Sequence, residues 1–218
     1  AVARGKVLFN LEDARQFAKE TGFPLVAKPD SGVGASGTFK IECDDDLVRF
    51  FDHLPSVDYI FEEFIEGTIY SFDGLVDQNG NLLYYNAMRN EKGVIETVND
   101  DTHIYIVTLR DIPGDLEEAG KKVIEAFGLR ARFFHFEFFR QADGKLVALE
   151  VNMRPPGGFT TDMWNFASNI DIYKVWAEMV VNNRTELHYT RQNHVCFVGR
   201  KLKNSYRYST EQIMARYA

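Results

Sequence analysis

A chain of 218 residues is long enough for one large domain or for two closely joined lobes. Hydrophobic residues make up 45% of it and charged residues 26%, as in ordinary globular proteins, and a formal net charge of −7 argues against a nucleic-acid partner, since nucleic acids bind basic surfaces. There is no signal peptide, no apolar run long enough to cross a bilayer and no pair of neighbouring cysteines, so we expect a cytoplasmic protein without membrane contact, zinc site or disulfide.

The first third of the chain alternates helical patterns with short β-prone runs. Asn10 is suited to cap a helix that ends near Gly22, and Pro29 is suited to close the strand that follows. The elements predicted here are a helix over 11–22, strands over 25–28 and 38–41, a helix over 44–53 and a strand over 59–63.

The rest of the chain indicates two hairpins and two helices. Asn79-Gly80 is a strong hairpin-turn signal, and Pro113 and Gly128 are suited to begin and end a helix. Because strands and helices do not alternate as regular βαβ units, the pattern predicts an α+β fold in two lobes. The elements predicted here are strands over 69–76 and 82–88, a helix over 113–127, strands over 133–139 and 146–151 and a helix over 171–181.

The glycine-rich stretch over residues 31–37 matches the pattern GxGxxG but lacks its usual context. In a dinucleotide-binding fold the pattern opens a helix, whereas a β-prone run follows here. A Walker A loop would need a lysine after Gly37, and a protein kinase would carry its lysine on the strand after the loop. The stretch is therefore interpreted as a flap between two strands.

Such a flap suits a phosphate. Successive backbone N–H groups around Gly34 and Gly37 form an anion-binding concavity, and the hydroxyls of Ser31 and Ser36 add donors. Lys28, at the end of the preceding strand, is placed to reach the same anion as a point charge. The alternative is a flexible hairpin tip with a solvated lysine.

The hairpin predicted over 133–139 and 146–151 brings two glutamates together. Alternation places Glu137 on the face opposite to most phenylalanines of its strand. If the loop has an even number of residues, Glu137 lies opposite or diagonal to Glu150, at about 4.5–8 Å. The residues expected to share one face of the second strand are Ala148, Glu150 and Asn152.

Adjacent carboxylates on a sheet repel each other unless a cation lies between them. Glu137, Glu150 and Asn152 offer only oxygen ligands, which suit Mg²⁺ or Mn²⁺ rather than Zn²⁺. Magnesium usually takes its other ligands from water and nucleotide phosphates. The alternative is that both glutamates face solvent and pair with Arg140 or Lys145.

Arg154 follows this hairpin directly and is fixed by two prolines and backed by two glycines, at 155–158. This arrangement suits a guanidinium that is presented to an anion. His135, by contrast, is interpreted as a structural histidine.

Together these motifs resemble the ATP-grasp superfamily, specifically its carboxylate–amine ligase and carbamoyl-phosphate-synthase-like branch. The resemblance implies two α+β lobes with antiparallel sheets that sandwich ATP: a small lobe over 1–65 and a large lobe over 66–218. The motifs that carry it, in family order, are Phe23 to Pro29 with the flap, Phe61 to Gly67, His135 to Glu137 and Leu149 to Gly158.

The resemblance also implies roles for residues. The residues implied for nucleotide binding are Lys28, Ser31, Gly34, Ser36 and Gly37 around the flap, and Glu62, Glu63, Phe64 and Ile65 in a hinge whose backbone meets the adenine edge. Those implied for magnesium, or manganese, are Glu137, Glu150 and Asn152. Arg154 would face the transferred phosphate or the substrate carboxylate, and Arg89 would be a further basic residue aimed at the phosphate.

The implied activity is a ligase that activates a small-molecule carboxylate as an acyl phosphate for attack by an amine, with amino acids as candidate substrates. The Arg-Pro-Pro-Gly-Gly segment favours an organic carboxylate. Two alternatives stay open: a bicarbonate-activating domain of the carbamoyl-phosphate-synthase type, and a non-catalytic ATP sensor or assembly module. A homo-oligomer is compatible with the sequence.

The chain departs from the family pattern in two ways. Ile69 stands where an acidic ribose-binding residue is usual, so either Glu66 or Glu63 substitutes or ribose binding is weaker. A further phosphate-binding cation and a pre-ATP-grasp domain would precede residue 1, and a C-terminal remainder would follow residue 218. We therefore expect a fragment that is inactive alone.

Overall fold

The computed structural model describes residues 1–31, 36–53, 57–90, 105–184, 186–201 and 203–217. The described strands form two antiparallel sheets, and no helix among the described residues is long and apolar enough to cross a bilayer. The described helices are α1 (Leu11–Thr21), α2 (Asp44–Asp52), α3 (Gly114–Ala126), α4 (Thr160–Ser168), α5 (Ile172–Asn182) and α6 (Thr210–Tyr217). The described strands are β1 (Gly5–Val7), β2 (Leu25–Pro29), β3 (Phe39–Ile41), β4 (Tyr59–Glu63), β5 (Thr68–Val76), β6 (Leu82–Asn90), β7 (Tyr105–Thr108), β8 (Arg132–Arg140), β9 (Leu146–Asn152) and β10 (Cys196–Val198).

The smaller sheet has the strand order β1-β4-β2-β3 and packs one face on α1 and α2. Leu25 and Ala27 of β2 enter this core together with Phe61 of β4. Because side chains alternate along a strand, Lys28 and Glu62 lie on the opposite face. The helices thus leave the charged face of this sheet to other contacts.

The larger sheet has the strand order β10-β7-β6-β5-β8-β9 and is packed differently on its two faces. Helix α3 covers one face, where Phe72, Phe134 and Phe136 are fully buried. Helices α4 and α5 pack on the other face, against Leu75 and Phe133. Towards the start of β5 and the end of β8, this second face changes from apolar to polar side chains.

The two sheets are joined by residues 64–67. The lobe boundary after residue 65 stays a prediction. A Cβ atom on Gly67 would lie 2.7 Å from the Arg140 carbonyl oxygen, so the chain passes β8 here only because the residue is glycine. Residues 1 and 2 contact the larger sheet, since the Ala148 N–H donates a hydrogen bond to the Ala1 carbonyl at 2.8 Å.

The predicted α+β class and the predicted helices and hairpins are confirmed. Asn10 caps α1 by accepting a hydrogen bond from the Asp13 N–H, and Gly80 turns the β5–β6 hairpin with φ of 90°. Strands β1, β7 and β10 and helix α4 were not predicted. The three strands have only three or four residues each, too few for a period-two pattern to stand out.

The contact between α3 and the larger sheet depends on Gly120. A Cβ atom at this position would lie 2.1 Å from Cδ1 of the buried Phe72 ring. Since real carbon atoms do not approach so closely, the helix reaches the sheet only because Gly120 has no side chain.

We expect Gly120→Ala to lower the free energy of unfolding. Alanine adds about 1 kcal/mol of helix propensity, but displacing the Phe72 ring costs about 3 kcal/mol, the upper end of typical overpacking penalties. Urea unfolding measures the difference. The matched control is Gly114→Ala at the start of α3, where a Cβ meets no atom of the described residues within 4 Å; equal stability of the two variants would contradict the close contact.

Candidate functional site

Strands β8 and β9 hold the predicted acidic cluster. Glu137 is the direct cross-strand partner of Glu150, and His135 is the partner of Asn152. Direct partners in an antiparallel pair share a face and have Cα atoms about 4.5–5.5 Å apart. Glu137 is buried, whereas Glu150 is exposed. The structure therefore brings the three predicted metal ligands together on one face of the larger sheet.

A β-bulge sets this register. The loop between Arg140 and Leu146 has five residues, an odd number, which by regular pairing would place Leu149 rather than Glu150 across from Glu137. The register shifts between Glu137 and Phe138, so that the extra residue of β9 is absorbed and the two glutamates meet. The loop does not have the even number of residues that the predicted pairing required, but Glu137 and Glu150 are nevertheless direct partners.

The bulge also corrects the predicted faces of β9. Ala148 pairs with Phe138 and packs in the apolar core under α3. It therefore lies on the face opposite to Glu150 and Asn152, and the prediction that Ala148 shares their face was wrong. Simple alternation fails here because a bulge adds one residue to one strand only.

Beside the acidic cluster lies a buried polar group on β5 and β8. The Asp73 carboxylate is fully buried, and its Oδ1 lies 2.5 Å from His135 Nδ1. The Ser71 hydroxyl donates a hydrogen bond of 2.5 Å to Asp73 Oδ2. The other ring nitrogen, His135 Nε2, lies 3.5 Å from Glu137 Oε1. A chain of contacts thus runs from Ser71 through Asp73 and His135 to one of the metal-ligand candidates.

The electrostatics of His135 follow from these contacts. Burial lowers the pKa of the imidazole, but the charge and hydrogen bond of Asp73, aided by Glu137, outweigh it and raise the pKa to about 10. His135 is therefore an imidazolium near neutral pH. The interpretation of His135 as a structural histidine missed its contact with Glu137.

We expect the His135 imidazole to stay protonated up to about pH 10 in magnesium-free buffer. Because this pKa is above the unfolded value of about 6.5, the stabilising effect is full below that pH and is lost as pH rises through about 10. NMR titration of the ring protons measures it. Asp73→Asn should lower the pKa strongly, whereas Asp115→Asn, which removes the partner of Arg140, should not; an unchanged titration in Asp73→Asn would contradict the pairing.

The donor set fits magnesium better than a metal that needs a full protein cage. Among the described residues, no three or more His, Cys, Asp and Glu side chains are grouped so that they could hold a metal ion. Glu137, Glu150 and Asn152 supply two carboxylates and an amide, and magnesium commonly completes its shell with water and phosphate oxygens. Among the described residues, Asn152 Nδ2 is buried without a hydrogen-bond partner, so the NH2 group of this amide is unsatisfied there.

On the smaller sheet, Lys28 and the first two hinge residues, Glu62 and Glu63, form ion pairs. Lys28 Nζ pairs with the Glu62 carboxylate on the face that α1 and α2 do not cover. Glu63 accepts two hydrogen bonds from Arg4, at 2.8 and 2.9 Å. The Phe64 N–H donates to the Pro24 carbonyl at 3.3 Å, which anchors the hinge to the start of β2. Ile65 lies half-buried in the same connection.

The flap is described only at its two ends. Ser31 and Ser36 are exposed, and Gly37 has φ of 72°, a left-handed conformation that favours glycine. Gly34 lies outside the described residues. The predicted phosphate donors that are described are therefore accessible from solvent.

The two predicted arginines lie in different places. Arg154 is exposed, and its Nη1 donates a hydrogen bond to the Pro155 carbonyl at 3.0 Å. Arg89 is the cross-strand partner of Tyr70, one position out of step with the Ser71–Glu137 pair. Alternation therefore places Arg89 on the face opposite to Glu137, and the structure does not bring it to the acidic cluster.

The structure bears on which residue could bind the ribose hydroxyls in place of the usual acidic one. Ile69, at the expected position, is a buried apolar residue. The Glu63 carboxylate is bound to Arg4. Of the two substitutes that the sequence suggested, the exposed Glu66 is the one without a described ion pair.

Sequence reasoning missed Asp73 and Ser71 entirely. A signal was present, since Ser71 and Asp73 alternate with apolar residues in a strand that is otherwise buried. A carboxylate at such a position needs a charged or hydrogen-bonding partner. Only the pairing of β5 with β8 identifies His135 as that partner.

The sequence matches one family model and several known proteins. A family model described as an ATP-grasp domain matches residues 21–162. The chain is 25% identical over 182 residues to the L-arginine-specific L-amino acid ligase of Bacillus subtilis, covering 75% of this chain and 44% of that protein. It is 25% identical over 193 residues to the carbamoyl phosphate synthase large chain of Clavibacter michiganensis subsp. michiganensis, covering 85% of this chain and 17% of that one. The chain spans less than half the length of these relatives.

Solved structures share the fold. The biotin carboxylase domain of Hydrogenobacter thermophilus 2-oxoglutarate carboxylase, in complex with MgADP, ADP and bicarbonate, matches with a TM-score of 0.70 and 22% identity, covering 89% of this chain and 46% of that one. N5-carboxyaminoimidazole synthetase from Staphylococcus aureus matches with a TM-score of 0.71 and 15% identity, covering 89% and 50%. At these identities the similarity concerns the fold alone.

Proposed function

Because this chain belongs to the ATP-grasp domain family, we propose that it is the nucleotide- and metal-binding part of an ATP-dependent ligase that joins a carboxylate to an amine. The observation that carries the proposal is the direct pairing of Glu137 with Glu150, with Asn152 on the same face of the larger sheet. Two facing carboxylates repel each other, and a divalent cation between them removes the repulsion.

Glu137, Glu150 and Asn152 would hold Mg²⁺, and the same oxygen ligands suit Mn²⁺. The ion supplies charge neutralisation for the phosphates of ATP. The small number of protein ligands supports the magnesium assignment, because two carboxylates and one amide leave coordination positions for phosphate oxygens and water.

Nucleotide binding would use the smaller sheet and the hinge. Lys28 would exchange its ion pair with Glu62 for a phosphate, and Ser31 and Ser36 would donate from the ends of the flap. The hinge over residues 62–65 would meet the adenine edge through backbone groups other than the Phe64 N–H, which is already bonded to Pro24. The family membership and the complexes of similar folds with ADP or ATP support this assignment.

The proposed reaction has two steps. A carboxylate oxygen attacks the γ-phosphorus of ATP, so that the bond to the β-phosphate oxygen breaks and ADP leaves with an acyl phosphate formed. The amine then attacks the acyl carbon, phosphate leaves with the bonding electron pair, and the amine loses a proton. Arg154 would neutralise the transferred phosphate or the substrate carboxylate, and a closed flap would exclude water that hydrolyses the acyl phosphate.

The substrates are proposed as a small organic carboxylate and an amine, amino acids among them. The exposed Arg154, whose guanidinium donates a hydrogen bond to the carbonyl of the next residue, Pro155, supports an anionic organic substrate. The similarity to an L-amino acid ligase supports the same class, whereas the similarity to carbamoyl phosphate synthase keeps bicarbonate as the second candidate. Cytoplasmic ATP and magnesium fit a cytoplasmic location.

We expect Glu150→Gln in the full chain to weaken magnesium-dependent ATP binding by roughly tenfold or more and to abolish turnover. The melting temperature in magnesium-free buffer should not fall, because an amide of equal size replaces an exposed carboxylate and the repulsion from Glu137 is removed. Isothermal titration with ATP, with and without Mg²⁺, measures binding, and ADP release measures turnover. Glu125→Gln on α3, which covers the other face of the sheet, is the matched control.

Unchanged binding and turnover in Glu150→Gln would overturn the metal assignment. A panel of amino-acid pairs in the turnover assay then identifies substrates by stimulated ADP release. Tight magnesium-dependent ATP binding without turnover for any carboxylate, bicarbonate included, would favour the non-catalytic sensor.

A further inference from the structure

We propose that Asp73 and His135 are positioning residues that orient Glu137 for the divalent cation. This inference rests on the proposed function, since it concerns how the same site holds its metal. The contacts that carry it are the 2.5 Å pair between Asp73 Oδ1 and His135 Nδ1 and the 3.5 Å approach of His135 Nε2 to Glu137 Oε1.

The position of His135 is central to the ligand set. It lies two residues before Glu137 on β8, which places both side chains on one face, and it is the direct cross-strand partner of Asn152 on β9. One imidazole ring thus borders two of the three candidate ligands. Ligand-supporting groups commonly act in this way, by fixing the orientation of a metal-binding side chain.

The ring is itself held from the other side. The Asp73 carboxylate on β5 is fully buried and accepts a hydrogen bond from the Ser71 hydroxyl through its second oxygen, so neither oxygen is free to rotate away. With Asp73 fixed, His135 Nδ1 is fixed, and Nε2 points along the sheet face towards Glu137. The approach of His135 Nε2 to Glu137 Oε1 at 3.5 Å restrains the orientation in which this carboxylate is offered to a cation.

Stability alone does not account for this arrangement. The same sheet face carries apolar residues next to the pair: Leu75 two residues after Asp73 on β5, and Phe133 two residues before His135 on β8. Replacing a buried ion pair with well-packed apolar side chains is often neutral or stabilising. A buried Asp–His pair that ends on a metal-ligand candidate therefore points to a role in the site rather than in the core.

The test uses the full chain and the dependence of ATP binding on Mg²⁺ and Mn²⁺ concentration. We expect His135→Ala and Asp73→Asn to raise the half-saturating Mg²⁺ concentration about 10–100-fold, as is typical for groups that support metal ligands. Saturating Mg²⁺ should restore ATP binding in both variants, because Glu137 itself is still present. Glu137→Gln, which removes the ligand, should not be restored.

The matched control is Asp77→Asn, the same substitution as Asp73→Asn. Asp77 is buried just after β5, and its carboxylate accepts hydrogen bonds of 2.8 Å from the Asn79 and Asn81 N–H groups in the β5–β6 turn, at the opposite end of β5 from the acidic cluster. Loss of this carboxylate should lower the melting temperature without moving the Mg²⁺ dependence. A purely structural role for Asp73 and His135 would give the same pattern as this control.

A half-saturating Mg²⁺ concentration within twofold of wild type, in a folded His135→Ala or Asp73→Asn variant, overturns the inference while leaving the proposed function in place. If His135→Ala does not fold, Asp73→Asn and His135→Gln decide the question by the same measurement. Absence of any magnesium effect on ATP binding by the wild-type chain overturns the proposed function and this inference together.

Discussion

Two carboxylates that face each other on adjacent strands repel, and the polar half of the larger sheet is organised around that repulsion. Glu137 and Glu150 meet because a bulge in β9 absorbs one residue, so the fold accepts an irregular ladder in order to bring the like charges together. His135, two residues before Glu137 on the same strand, is an imidazolium that compensates part of the charge on Glu137. The remaining negative charge faces the outside of the sheet, where a cation can reach it.

The same sheet face is apolar at one end of its strands, where it packs against helices, and polar at the other end, where the candidate site lies. At one end, Leu75 and Phe133 pack under α4 and α5, and a single apolar core fixes the helices. At the other end, Ser71, Asp73 and His135 take equivalent positions with polar groups. Because β5 and β8 cross both regions, the packing at the apolar end also holds the polar side chains in register.

The two sheets have separate cores and meet through a short connection. Gly67 allows the backbone to pass close to Arg140, and the hinge before it is tied to β2 by the Phe64–Pro24 hydrogen bond. The charged face of the smaller sheet carries the Lys28–Glu62 pair, and the larger sheet carries the acidic cluster. A nucleotide with anionic phosphates and a divalent cation would complement both sets of charges.

The sequence by itself determined the α+β class, the hairpins and most helices, because caps, turn residues and hydrophobic periodicity are local signals that need no tertiary information. It also suggested Glu137, Glu150 and Asn152 as a group from their chemistry, but the bulge that brings Glu150 opposite Glu137 was not readable from the spacing. Tertiary structure alone decided that Ala148 faces the core, that Arg89 lies on the opposite face, and that His135 meets Asp73. The physical reason is that a bulge, and a pairing between residues 62 positions apart, are set by packing of the whole sheet, which no local pattern encodes.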